Sequence, residues 1–119
     1  SSLPYSAGLS LLRQGKEDEA KALLKHSAEL GKTNAHYWYV YGLALEKSDV
    51  LEASKALQTA FKVGGNPQHL YAQCEVLARN HKKGVVAFAF DRCLKELSNY
   101  APKQAIDQLK ASIVGVNRS

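Results

Sequence analysis

Six side chains carry the donor chemistry of metal sites or nucleophilic catalysis: His26, His36, His69, His81, Cys74 and Cys93. Metal ligands on a helix must share one face, at spacings of three or four residues. No histidine here stands four residues from another histidine or from a cysteine, and Cys74 follows His69 by five, off one helical face. A cysteine nucleophile needs a neighbouring base that holds it as the thiolate, and nothing in the spacing supplies one. Glu17, Asp18 and Glu19 form an acidic run that reads as the start of a helix rather than as a general acid and base. There is no Gly-x-x-x-x-Gly-Lys loop for phosphate, and Gly64-Gly65 reads as a helix end. No catalytic, metal-binding or cofactor-binding set is expected. What remains is recognition chemistry: tyrosines Tyr5, Tyr39 and Tyr71, and the cations Arg13, Lys47 and Arg79. Tyrosine gives contact area at low rotamer entropy, and a guanidinium can hold a carboxylate by two bonds.

These residues recur at a fixed period. Tyr5, Tyr39 and Tyr71 are separated by 34 and 32 residues, as are Gly8, Gly42 and Cys74, then Leu11, Leu45 and Leu77, and the cations Arg13, Lys47 and Arg79. A second set recurs at 33 and 33: Ala20, Ala53 and Val86; Leu24, Leu57 and Phe90; Ser27, Ala60 and Cys93. A shared period over seven columns means one supersecondary unit repeated three times.

Within each unit the apolar residues fall three and four apart, which predicts amphipathic helices. Helices are expected at 3–14, 17–30, 34–47, 50–63, 67–80, 83–97 and 102–115, with no strand. Asp49 and Glu52 have capping-box spacing, and Asn66 before Pro67 is an N-cap followed by a first-turn proline. Small residues should mark where paired helices cross closely: Gly8 against Ala20, Gly42 against Ala53, Cys74 against Val86. Ser27, Ala60 and Cys93 should do the same between units. Cysteine in such columns acts as a small apolar side chain. A Cys74–Cys93 disulfide would need an exported protein, and two packed thiols are the expectation.

This pattern resembles the tetratricopeptide repeat. Unit one carries Gly8-Leu9-Ser10-Leu11, Gly15 through Ala20, Leu24, Ser27 and Ala28; unit two carries Trp38, Tyr41-Gly42, Leu45, Ala53, Leu57 and Ala60. Unit three departs most, with Leu70 in the Trp38 column, Gln73 in an apolar column and His81 where Gly15 sits. The resemblance implies an all-α fold: a right-handed superhelical solenoid of three helix–turn–helix repeats, about 1–34, 35–66 and 67–100, plus a capping helix at about 101–115. One domain would span 1–119. In the capping helix Ala105, Ile106, Leu109 and Ile113 share the apolar face.

In such an array the first helix of each unit lines a concave groove. Its columns hold Tyr5, Tyr39 and Tyr71; Leu9, Leu43 and Glu75; Leu12, Glu46 and Ala78; and Arg13, Lys47 and Arg79, with His36 near its helix start. The resemblance therefore implies a peptide-binding, scaffolding module, its partner a protein or peptide with acidic groups steered by the basic row. One branch of the family grips chaperone tails with a lysine and two asparagines. The matching positions here hold Tyr5, Leu9 and Val40, so that clamp is absent. Self-association into a homo-oligomer is the alternative, and RNA binding a weaker one.

Composition narrows the field further. The chain has 119 residues, 45% hydrophobic and 23% charged, proportions that exclude wholesale disorder. A net charge of +5 permits nucleic acid or acidic peptide. Lysines Lys82-Lys83 and Lys16, Lys21 and Lys25 lack interleaved aromatic rings and read as solvated faces, so nucleic acid is disfavoured. No apolar run reaches the about 20 residues of a membrane helix. The chain opens Ser1-Ser2-Leu3 without a leader or any methionine, which suggests a piece of a longer protein and leaves the compartment open between cytoplasm and periplasm. The segment from Val85 to Phe90 is apolar nearly all round and is expected to lie buried against the tail helix.

Overall fold

Three side-chain caps punctuate the chain. Asn34 Oδ1 accepts the His36 N–H at 3.1 Å, Asp49 Oδ1 the Glu52 N–H at 3.1 Å, and Asn66 Oδ1 the Gln68 N–H at 3.0 Å. Each satisfies one otherwise orphaned N–H and stabilises its helix by about 1 kcal/mol. A computed structural model describes residues 2–81 and 84–118, with side chains for 7–81 and 84–113. It contains α1 (Ser2–Arg13), α2 (Glu17–Leu30), α3 (Ala35–Leu45), α4 (Val50–Gly64), α5 (Pro67–Arg79), α6 (Val85–Leu97) and α7 (Lys103–Arg118). No strand occurs among the described residues. α4 ends on Gly65, whose φ of 70° is left-handed and whose N–H reaches the Phe61 carbonyl at 2.7 Å.

Each helix packs against the next from α1 to α6, and α7 lies on α5. The chain measures 40 × 31 × 21 Å, with a radius of gyration of 14.6 Å. The first two pairs close in the same way. A Cβ added at Gly8 would fall 2.8 Å from Leu24 Cγ, and one at Gly42 2.9 Å from Leu57 Cγ. Both distances are too short for a real carbon, so the bare glycine lets α1 meet α2 and α3 meet α4. Leu24 and Leu57 are fully buried.

The third pair closes by a covalent bond, contrary to expectation. Cys74 on α5 and Cys93 on α6 form a disulfide with their Cα atoms 5.6 Å apart. Antiparallel packing of α5 on α6 brings the two small-residue columns face to face, so the cysteines share one contact instead of serving two. In the chain-entropy picture, closing this loop stabilises the fold by about 3 kcal/mol.

The core comprises two clusters, with the partly buried Val50 packed against both. Leu24, Tyr41, Leu45 and Leu57 anchor one; Leu70, Leu77, Phe90, Leu97, Ile106 and Leu109 anchor the other. On α7, Ile106 and Leu109 are buried while Lys103, Gln104, Asp107, Gln108 and Lys110 face water, as the amphipathic pattern requires. A second expectation fails here. Val85 and Phe88 are each 63% exposed, because α7 packs on α5 and leaves the outer face of α6 uncovered. Lys82 and Lys83 lie outside the described residues.

Candidate functional site

α1, α3 and α5 together border an open groove of about 570 Å³. Its apolar surface comes from Leu12, Val40, Leu43 and Ala44, and its polar rim from Glu17, Glu46, Lys47, Arg79 and Asn80. The helical period accounts for the set: 40, 43, 44 and 47 share one face of α3 and the turn beyond it. Leu43 stays 38% exposed, a large apolar side chain presented to solvent inside a concavity.

The rim is organised by one fork. The Arg79 guanidinium donates from Nε to Glu46 Oε2 at 2.9 Å and from a terminal nitrogen to Oε1 at 2.8 Å. Asn80 Nδ2 donates to the same Oε2 at 2.9 Å and to the Val76 carbonyl at 2.8 Å. The hydrogen bonds from Arg79 hold the Glu46 carboxyl below the usual carboxylate range against the opposing effect of burial. The same bonds raise the Arg79 guanidinium. With Arg79 53% exposed in its side chain, solvent screening limits the pair to about 1 kcal/mol. Its structural effect is to tie α3 to α5 across 33 residues of sequence.

The expected recognition residues divide among several places. Leu12, Leu43, Glu46, Lys47 and Arg79 meet in the groove. Arg79 is charge-neutralised by Glu46, and Lys47 is the lining cation outside that fork. Arg13 is exposed at the end of α1, outside the lining. Leu9 packs on the first core cluster, Tyr71 on the second. Glu75 is half-buried and acts electrostatically on Arg79. Tyr39 stands in an aromatic group of its own, 6.2 Å from the His36 ring and 5.0 Å from His69. Burial pushes the His69 imidazole below the usual histidine value, a nearby His36 charge acts in the same direction, and the Ala60 carbonyl partly opposes them. The Tyr5 side chain lies outside the described residues. Tyr39 and Tyr71 do not line this groove.

Two participants escaped the sequence reading. Asn80, a polar residue at a helix end, gave no signal beyond its polarity. Gln73 did give one, as a polar residue in an apolar column. It is buried and donates from Nε2 to Ser54 Oγ at 3.0 Å.

No group of three or more His, Cys, Asp or Glu among the described residues is placed to hold a metal ion. No helix among the described residues is long and apolar enough to cross a membrane. Models of known protein families give no match to the chain, and neither do curated proteins.

Proposed function

We propose that the chain is a tetratricopeptide-like right-handed solenoid of three helix–turn–helix units capped by α7. Its role is to bind a segment of another protein in the α1–α3–α5 groove, without catalysis. The observation that carries this reading is the convergence of Leu12, Leu43, Glu46, Lys47 and Arg79 on one open concavity of about 570 Å³. The matching approach of α1 to α2 and α3 to α4 over Gly8 and Gly42 supports the repeat. Because Glu46 neutralises Arg79 and Glu17 shares the rim with Lys47, the groove favours an apolar segment with mixed polar flanks over a strongly acidic one. The test compares proteins captured by the immobilised chain with those captured by a Leu43→Asp, Lys47→Glu variant of unchanged helical circular dichroism. Loss of a specific partner supports the groove; capture of every partner by the variant removes the groove from the function.

A further inference from the structure

A larger groove, of about 1000 Å³, lies between α4 and α6 with α5 as its floor. Three features distinguish it from the α1–α3–α5 groove. Its walls are apolar and uncovered: Val85 and Phe88 stand one turn apart on α6, each 63% exposed, and Leu51 on α4 is 38% exposed. Its rim is cationic: Lys55, Arg92 and Lys95 line it, with Glu96 the lining carboxylate and Lys55 in an exposed 3.7 Å pair with Glu52. The Arg92 guanidinium sits 5.9 Å from the centre of the Phe88 ring, so charge and apolar area are presented together.

The third feature is a polar group on the floor. Gln73 is more than nine-tenths buried, at 8% exposure, and lines the groove beside Ser54. Its Nε2 donates to Ser54 Oγ, while its Oε1 is buried without a hydrogen-bond partner. Turning the amide over changes which end is served, but Ser54 still serves only one. An unsatisfied buried amide end costs about 1–3 kcal/mol, a cost that an apolar residue in this column would avoid.

We propose that this groove binds an extended acidic segment of another protein. An apolar side chain of the segment rests on Phe88 and Val85, its carboxylates meet Lys55, Arg92 and Lys95, and, once the Gln73 side chain turns toward the groove, one of its backbone amide groups completes the hydrogen bonding of Gln73. The extended form follows from the last contact. A strand carries free N–H and C=O groups at every residue, whereas a helix has already used its own. A second copy of the chain fits poorly, since it would bring an identical cationic groove and a further net charge of +5.

The experiment selects binders from a random dodecapeptide display library on the full oxidised chain, with a Phe88→Ser, Arg92→Glu variant as counter-selection. Both side chains are exposed, so the variant keeps its core, and circular dichroism checks that it does. The expected consensus is an aromatic or aliphatic residue flanked by Asp or Glu. Fluorescence anisotropy of the best peptide should show at least about tenfold weaker binding to the double variant. Gln73→Met should also weaken binding, while its denaturation midpoint rises because the orphaned amide end is gone. In the amide NMR spectrum, bound peptide should shift the Gln73 side-chain signals and the backbone of α6. A basic or featureless consensus, shifts confined to α1, α3 and the far face of α5, or affinity unchanged in both variants overturns the proposal. So does a peptide-independent dimer abolished by Phe88→Ser.

Discussion

Gly42 and Cys74 fall in the same column of the proposed repeat, yet the helix pairs they belong to are held by different chemistry. In α3/α4 the absent side chain of Gly42 admits Leu57, and the pair is closed by van der Waals contact. One column away, Tyr41 is buried, and burial together with the carboxylates of Glu52, Glu29 and Asp49 raises its hydroxyl above the usual tyrosine value. In α5/α6 the cystine replaces the glycine, and Gln73 replaces Tyr41. That glutamine lines the α4–α6 groove with a partly unsatisfied amide. A pair closed by dispersion needs its columns filled. A covalently linked pair tolerates an underfilled face.

The largest expected effect breaks the covalent side of the comparison. Replacing both cysteines by alanine should lower unfolding free energy by about 3 kcal/mol in chemical denaturation, and reduction of the parent chain should give a similar loss. A change below about 0.5 kcal/mol would mean that packing alone closes α5 on α6. Next comes the dispersion side. Gly42→Ala places a carbon 2.9 Å from Leu57 Cγ and 3.2 Å from the Ala53 carbonyl oxygen. Overpacking should outweigh alanine's better helix propensity and leave a net loss of about 1–2 kcal/mol in unfolding free energy, read by chemical denaturation. An alanine that stabilises the chain would show that the approach is looser than 2.9 Å implies.

Smaller effects test the polar link between the two pairs. Glu46→Gln should cost up to about 1 kcal/mol near neutral pH, screening included. Because the folded Glu46 carboxyl lies below its ordinary value, its contribution is present above that value and fades as pH falls through the lower, folded one. The stability gap between parent and variant should therefore narrow in acid, which denaturation series at several pH values would reveal. His69 gives the smallest effect and acts at higher pH. Its imidazole is depressed in the fold, so the unfolded chain takes up the proton first and stability declines as pH drops below about 6.5. A His69→Gln chain should show a flatter stability profile between neutral pH and pH 5.

The period of the apolar residues made the helices and their order legible, and the caps at Asp49 and Asn66 lie where capping chemistry put them. The cystine was not legible for a specific reason. Cys74 and Cys93 stood in columns assigned to different contacts, one within a unit and one between units, and a disulfide was tied to export, which the sequence does not reveal. Only the antiparallel register of α5 and α6 shows that the columns meet. Phe88 was misread because an apolar run signals burial only when something covers it, and the position of α7 is a tertiary fact. The Glu46–Arg79 fork was recoverable: opposite charges 33 residues apart are about one period apart, and so stand on neighbouring units. Tyr39 and Tyr71 share a column yet meet different neighbours, since a shared column fixes the backbone position and leaves each ring to its own surroundings.

The cystine also divides the chain as a mechanical element. Stretched from its ends, the oxidised chain has a closed ring between residues 74 and 93 that carries no tension, because force passes directly across the sulfur bridge. The fully extended length of the oxidised form is therefore about 60 Å shorter than that of the reduced form. A pull along the chain would unravel the glycine-closed pairs to their full length and leave the turn between α5 and α6 slack.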